Sequence, residues 1–398
     1  MNGTAAVRRT ALVGIPFPSE VNASVEAART HTLDWLRELG LLRDPQTAAE
    51  YDSLHLERLM ARFYPGASTA ELCLACDING WFFIFDDQFD GALGRRPEAV
   101  APVVSSMERC LRTGGPGPTG GAESPLTAAF HDVWARATDG MPPSWRRRFG
   151  RHWRAYLEAH RWEASARTAR RAPSLERYMK TRRRTIGVLP CLDLAERCEG
   201  RAVPAGLYGL RQLTVLRELA VDVVIFVNDL CSLDKELAAG DVRGNGALLL
   251  RSRSGCTLEE SVAYLSGLTN SRVALFRRLS PEVQRALAAA EAPPALQRDA
   301  SGCLDAMRHV MSGNLAWSLE TARYDASGVA AVSGGRNRPW AGREAVPERD
   351  AVPGPDPAPA RRATVTRDVA AARDTVPPQK TASDADRGAH GPPAPRLR

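Results

Sequence analysis

Two clusters of acidic and polar residues lie inside long apolar stretches of this chain, where isolated charge is costly to bury, and they constrain the fold more than any other feature. The first is Asp86-Asp87-Gln88-Phe89-Asp90, and the second is Asn228-Asp229-Leu230-Cys231-Ser232-Leu233-Asp234-Lys235-Glu236. On a helix Asp86 and Asp90 are four apart and Asp87 and Asp90 three apart, so the carboxylates crowd one surface. Like charges packed that way repel, and a hard divalent cation is the natural thing to hold them. Asn228, Ser232 and Glu236 recur every fourth residue, which at about 100° per residue keeps them within roughly 80° of arc. One amide oxygen, one hydroxyl and one carboxylate then face a single ion, and the two clusters look like the jaws of one site.

The surrounding sequence is helical in its periodicity nearly throughout. It predicts helices over 19–42, 48–64, 69–90, 98–113, 125–138, 144–170, 174–198, 206–236, 258–291 and 294–324. Between the fourth and fifth lies Gly114-Gly115-Pro116-Gly117-Pro118-Thr119-Gly120-Gly121, which no helix could contain and which reads as a loop within the domain. Gly187 and Pro190 interrupt the run over 174–198 and would free backbone carbonyls there. No strand of convincing length and no repeat of fixed period is visible. The fold class expected is all-α, a helical bundle.

The composition changes after Asp325. Of the 28 prolines, 11 fall in 326–398, together with 7 glycines, a single aromatic residue and no sustained apolar periodicity. That composition predicts a disordered tail, with 1–14 as a flexible N-terminus and 15–325 as the body. The net charge of +7 drops to +3 for the body once the tail is set aside, so the basic balance is no nucleic-acid footprint. No stretch approaches the ~18 to 20 unbroken apolar residues of a membrane span. Arg8-Arg9-Thr10 precedes a short apolar run that Pro16 and Pro18 cut off, so no secretory signal forms and the expected location is cytoplasmic. Eight cysteines in a chain this long make no disulfide framework, and Cys73 with Cys76 reads as structural thiols. The seven histidines show no zinc-ligand grouping.

The aspartate-rich motif followed by the Asn-Ser-Glu motif resembles the signature pair of class I terpene cyclases, and the chain is similar to the bacterial sesquiterpene cyclases. Arg182 stands 46 positions before Asn228, where that family carries a diphosphate-sensing arginine, and Arg323-Tyr324 matches the family's Arg-Tyr pair. The resemblance covers roughly residues 15 to 325. It implies the α-helical terpenoid synthase fold, a prenyl diphosphate substrate, and magnesium, with three ions bound. Asp86, Asp87 and Asp90 would form one metal-binding group, Asp86 holding two ions, Asp90 more peripheral and Asp87 more often behind the ligands. Asn228, Ser232 and Glu236 would hold the third ion. Arg182, Arg323 and Tyr324 would donate to diphosphate oxygens, with Lys235 a further contact. Thr185 would link the sensing arginine to Ile186, whose carbonyl would assist ionisation. Phe63, Phe82, Phe83 and Trp317 would wall the pocket, whereas Trp81, Phe85 and Phe226 read as ordinary core.

Farnesyl diphosphate is the expected substrate, ionised and cyclised to a sesquiterpene. Geranyl, methylgeranyl or geranylgeranyl diphosphate on the same fold is the nearest alternative. A chain-elongating prenyltransferase would show a second aspartate-rich motif where this chain has Asn-Ser-Glu. A catalytically silent isoprenoid-binding or partner-binding helical protein is the alternative from another class. No nucleic acid or membrane partner is expected, and a homodimer stays open. Asp229 and Asp234 fall off the ligand face and are expected to pair with local arginines. The family's His-Asn pair is replaced by Arg243-Gly244-Asn245, so the neighbouring loop is expected to close differently.

Overall fold

The computed structural model describes residues 9–87, 89, 96–113, 124–168 and 172–328, and among them every regular element is helical. In chain order these are α1 (Val25–Glu38), α2 (Pro45–Asp52), α3 (Leu56–Phe63), α4 (Thr69–Asp87), α5 (Pro97–Thr113), α6 (Pro125–Thr138), α7 (Pro143–Thr168) and α8 (Leu175–Thr185). The series continues with α9 (Val188–Cys198), α10 (Ala205–Tyr208), α11 (Arg211–Cys231), α12 (Leu233–Ala238), α13 (Gly246–Ser254), α14 (Leu258–Ala289) and α15 (Pro294–Glu320). A 3-10 turn, Ala322–Tyr324, follows. Side-chain caps start several of them. Asp44, Ser124 and Ser174 accept from the backbone N–H three residues on, and Thr257 with Glu260 closes a reciprocal capping box.

Helix α11 runs through the middle, packed against α14 and α15, and is buried on nearly every side from Leu219 to Cys231. Helix α4 is covered by α1, α3 and α6, and α7 lies against α5 and α8. Between α4 and α7 the core is aromatic: Trp81 stacks on Phe85 with ring centroids 4.6 Å apart, and Phe82 on Trp153 at 4.4 Å. Below this lies a buried ionic knot. Asp193 of α9, with no exposed surface, accepts from Arg148 (3.0 Å) and His152 (2.5 Å) of α7 and from Arg217 (3.0 Å) of α11. Glu196 pairs with Arg148 and takes the Tyr208 hydroxyl. Both guanidinium groups lie over the Tyr208 ring, 3.8 Å and 4.6 Å from its centre.

Several boundaries differ from the sequence reading. Residues 19–23 precede α1 as an anchored segment: the Asn22 amide donates to the Tyr64 and Ala67 carbonyls, and Ser19 takes Arg62. The run over 48–64 is two helices, because His55 sits at φ 50 and turns the chain between them. The run over 206–236 is three helices, and α13 lies in a stretch where no helix was expected. The last helix stops at Glu320, and Thr321 with ψ 144 turns the chain into the 3-10 turn. The break near Gly187 is present. Gly187 takes φ +74 between α8 and α9, a conformation that suits a residue without Cβ, and Pro190 falls in the first turn of α9 where its missing N–H costs nothing. The loop over 114–121 and all of the tail beyond 328 lie outside the described residues.

Among the described residues no helix is long and apolar enough to cross a membrane. All eight cysteines are free thiols. Cys76 is buried and Cys73 partly so on α4.

Candidate active site

A cavity opens where the ends of α4, α8 and α11 meet α7, α15 and the 3-10 turn, and the motif residues converge on it. Asp86, Arg182, Thr185, Ile186, Asn228, Ser232, Lys235, Glu236, Arg323 and Tyr324 all line it, as do Phe63, Phe82, Phe83 and Trp317. A more open groove of about 810 Å³ lies elsewhere, between Pro65, Arg201 and Gln284, and contains none of the acidic motif residues. Chemistry, not width, picks out the first.

The first motif divides its carboxylates. Asp86 lies in the last turn of α4 with 40 % of its side chain exposed, and Oδ1 meets His160 Nε2 at 3.3 Å. His160, itself buried, is oriented by the Tyr156 carbonyl, 2.9 Å from Nδ1. Enclosure in the pocket would raise the Asp86 pKa, but His160, Arg323 and Arg182 outweigh it and hold the carboxyl below its usual range. Asp87 turns the other way and takes Arg323 Nη2 at 2.8 Å, while the Arg323 guanidinium lies over the Phe83 ring at 4.8 Å. Asp90 lies outside the described residues.

The second motif keeps its register although the helix changes direction at Ser232. Ser232 N donates to Asn228 O (2.8 Å) and Glu236 N to Ser232 O (3.0 Å), so the three side chains stay on one face. Asn228 Oδ1 accepts from Arg182 Nη2 at 3.1 Å, and its Nδ2 donates to the Tyr324 hydroxyl at 2.9 Å. The Ser232 hydroxyl is buried without a hydrogen-bond partner. Glu236 accepts from Asn245 Nδ2 at 2.5 Å. Burial, then the nearby Asp229 carboxylate, push the Glu236 carboxyl up to about 8 against Arg182, Lys235 and Asn245. Burial likewise pushes Asp229 up to about 6. Crowded carboxylates and an orphaned hydroxyl on one helix face fit a hard cation, which would relieve both. Among the described residues, which leave out Asp90, no three His, Cys, Asp or Glu side chains cluster as a metal site, and two of the donors in the second motif are an amide and a hydroxyl.

The three consecutive arginines separate cleanly. Arg182 points into the pocket, Arg183 pairs with Asp222 at 2.6 Å, and Arg184 lies over the Trp162 ring at 4.7 Å. A step of about 100° per residue permits only one of them to enter. The expectation for Asp229 needs correction. Fully buried and facing inward, it takes the Tyr178 hydroxyl (2.8 Å) and the Gly246 N–H (2.9 Å) rather than a local arginine. Asp234 does meet an arginine, Arg9 from the N-terminal segment. Trp81, Phe85 and Phe226 are buried core away from the cavity.

The loop after α12 is stitched in place. Arg243 donates to the Ala166 and Arg167 carbonyls (2.8 and 3.0 Å), closing the end of α7, and Asp241 takes Arg167 at 3.0 Å. Asn245 reaches the Asp229 carbonyl at 2.7 Å as well as Glu236. Sequence reasoning missed His160, Glu163, Tyr178 and this bridging use of Asn245. The signal for the α7 pair was faint: Tyr156, His160 and Glu163 recur at helical spacing in a helix crowded with arginines.

Residues 77–274 match the family described as terpene synthase family 2, C-terminal metal binding. The chain is 53 % identical over 336 residues to pristinol synthase of Streptomyces pristinaespiralis, covering 84 % of this chain and 90 % of that protein. It is 44 % identical over 347 residues to isoafricanol synthase of Streptomyces malaysiensis, covering 85 % and 88 %. Germacradien-4-ol synthase of Streptomyces citricolor superposes with a TM-score of 0.69 at 30 % identity, covering 78 % of this chain and 98 % of that one. With that shared helical fold and this depth of identity along the body, the chain belongs to the bacterial class I terpene cyclases.

Proposed function

We propose that this terpene cyclase ionises farnesyl diphosphate and cyclises it to a sesquiterpene, releasing diphosphate, with three Mg²⁺ ions as cofactor. The carrying observation is the chain Arg182–Asn228–Tyr324, hydrogen-bonded across the cavity mouth beside Ser232 and Glu236 and above an aromatic wall. A relative 34 % identical over 317 residues, from Saccharothrix espanaensis, is a (−)-β-caryophyllene synthase that cyclises (2E,6E)-farnesyl diphosphate.

An allylic diphosphate breaks heterolytically when the leaving group is stabilised and the cation is kept from water. Bound magnesium would neutralise charge on the departing diphosphate. Asp86, with Asp90 alongside, would hold ions at one jaw and Asn228, Ser232 and Glu236 at the other, while Asp87 steadies Arg323. Arg182, Arg323 and Tyr324 donate to diphosphate oxygens, for which a guanidinium fork is well shaped, and Lys235 adds charge. Ile186, freed from helical pairing by Gly187, offers its carbonyl to the developing cation, and Thr185 joins it to Arg182. Phe63, Phe82, Phe83 and Trp317 shelter the cation and attract it with their ring faces, worth ~0.5 to 2 kcal/mol per contact.

The test is incubation of the purified chain with geranyl, farnesyl and geranylgeranyl diphosphates and Mg²⁺, with products read by mass spectrometry. A cyclic C15 product from farnesyl diphosphate, lost on chelation and regained with Mg²⁺, is the expected result. Turnover confined to a shorter or longer substrate would correct the chain length. Diphosphate binding without release would leave a silent binding protein.

A further inference from the structure

Two carboxylates lining the cavity, Glu163 and Asp241, belong to neither acidic motif. Glu163 comes from α7, with 16 % of its side chain exposed, and stands beside the break between α8 and α9. The Thr185 hydroxyl donates to Glu163 Oε1 at 2.6 Å. Arg182 Nη1 donates to Thr185 Oγ1 at 3.3 Å and lies 3.8 Å from the same carboxylate oxygen. A hydroxyl has one proton to give and lone pairs to receive with, so Thr185 can serve both partners at once. The chain therefore has a direction, from guanidinium to hydroxyl to carboxylate.

Thr185 is neutral and its hydroxyl can rotate, so by itself it does not fix where Arg182 points. Glu163 removes that freedom by claiming the proton. It also adds negative charge, beside that of Asp229, to a guanidinium only 14 % exposed whose second fork nitrogen meets the neutral Asn228 amide. Together, Thr185 and Asn228 set the plane of the guanidinium from two sides, and Glu163 sets Thr185.

We propose that Glu163 is a positioning residue for ionisation, acting through Thr185 to aim Arg182 at the diphosphate and to tie the segment Thr185-Ile186-Gly187 to α7. The proposal rests on the reading that Arg182 meets the diphosphate. Glu163 touches neither substrate nor metal in this role. Its loss should therefore lower the rate at which bound substrate ionises and leave binding of the substrate nearly untouched.

The experiment is steady-state kinetics of the full chain with farnesyl diphosphate, comparing wild type with Glu163→Gln, Glu163→Ala, Thr185→Val and the double variant Glu163→Ala/Thr185→Val. Glu163→Ala is expected to lower kcat roughly 10- to 100-fold with KM within about threefold. Glu163→Gln, which keeps an oxygen for Thr185 but loses the charge, falls between. The double variant is no worse than Glu163→Ala, because both changes cut the same chain. The magnesium concentration for half-maximal rate stays at the wild-type value. Additive losses would overturn the proposal by showing that Glu163 acts without Thr185. A raised magnesium requirement would overturn it by making Glu163 a metal ligand. If Glu163→Ala fails to fold, Glu163→Gln carries the test, and wild-type kcat in that variant overturns the proposal. A wild-type chain that turns over no prenyl diphosphate fails the proposed function itself, and this inference with it.

Discussion

At the scale of single residues, the site works by giving adjacent side chains different tasks. Arg182, Arg183 and Arg184 are chemically identical, yet one faces the cavity, one is held by Asp222 and one lies over an exposed tryptophan. Arg182→Ala should therefore cost orders of magnitude in turnover with little change in thermal stability. Arg183→Ala should lower the melting temperature, since Asp222 is nearly buried, and leave most of kcat. Arg184→Ala should do neither, and equal losses in all three would point to a diffuse field instead. Glu236 carries a pH signature. Its carboxyl, pushed up to about 8, stays protonated through neutrality in the metal-free chain, whereas an unfolded chain releases that proton near ~4.3. Between those values the folded state binds more protons than the unfolded, so this group's contribution to stability falls as pH rises. A cation must displace the proton, so Mg²⁺ affinity should climb from pH 6 to 8 with proton release, as calorimetry in buffers of different ionisation enthalpy would register. Glu236→Gln should weaken binding and flatten that dependence.

At the scale of elements, the site depends on where helices stop. α4 ends at Asp87, α8 at Thr185, α11 at Cys231 and α15 at Glu320, and each ending delivers polar groups to the same cavity. What holds those ends in register lies deeper, in the knot of Arg148, His152, Asp193 and Arg217 that joins α7, α9 and α11. Removing Asp193 would strand the buried Arg217 guanidinium and leave Arg148 with Glu196 alone. Asp193→Ala should thus cost ~3 to 5 kcal/mol, read as a shift in the denaturant midpoint. The wild-type knot also predicts acid lability. Burial alone would raise the Asp193 pKa, but His152, Arg217 and Arg148 hold it well below its usual value. The stability it confers is present above ~3.9 and is lost as pH falls through the depressed value.

At the scale of the whole molecule, Tyr324 is the last of the described residues to line the cavity. Tyr324 lines the pocket and its hydroxyl meets Asn228, whereas residues 334–398 are rich in Pro, Gly, Ala and charge and can bury little apolar surface. A chain truncated after Ser333 should fold and turn over substrate like the full protein. Truncation before Arg323 should take Arg323 from Asp87 and Tyr324 from Asn228 and abolish most activity. Loss of turnover on removing 334–398 alone would place the tail over the active site.

The helical class and the common face of the second acidic motif were legible in the sequence because each is a matter of local period, whereas Arg182 was singled out from its neighbours by its place in the family resemblance. A step of about 100° per residue lets only one of Arg182 to Arg184 face the pocket, and four-residue spacing keeps Asn228, Ser232 and Glu236 together through a bend. The same arithmetic could not find His55 at positive φ, because that turn is imposed by packing on both sides of it. Nor could it find Asp229 turned to Tyr178, or Glu163 bound to Thr185, since each pairing joins two separate helices. Periodicity says which side of a helix is wet or dry. Which partner waits there is set only when the helices dock, because the cost of burying a charge is met by whatever group the neighbouring helix brings.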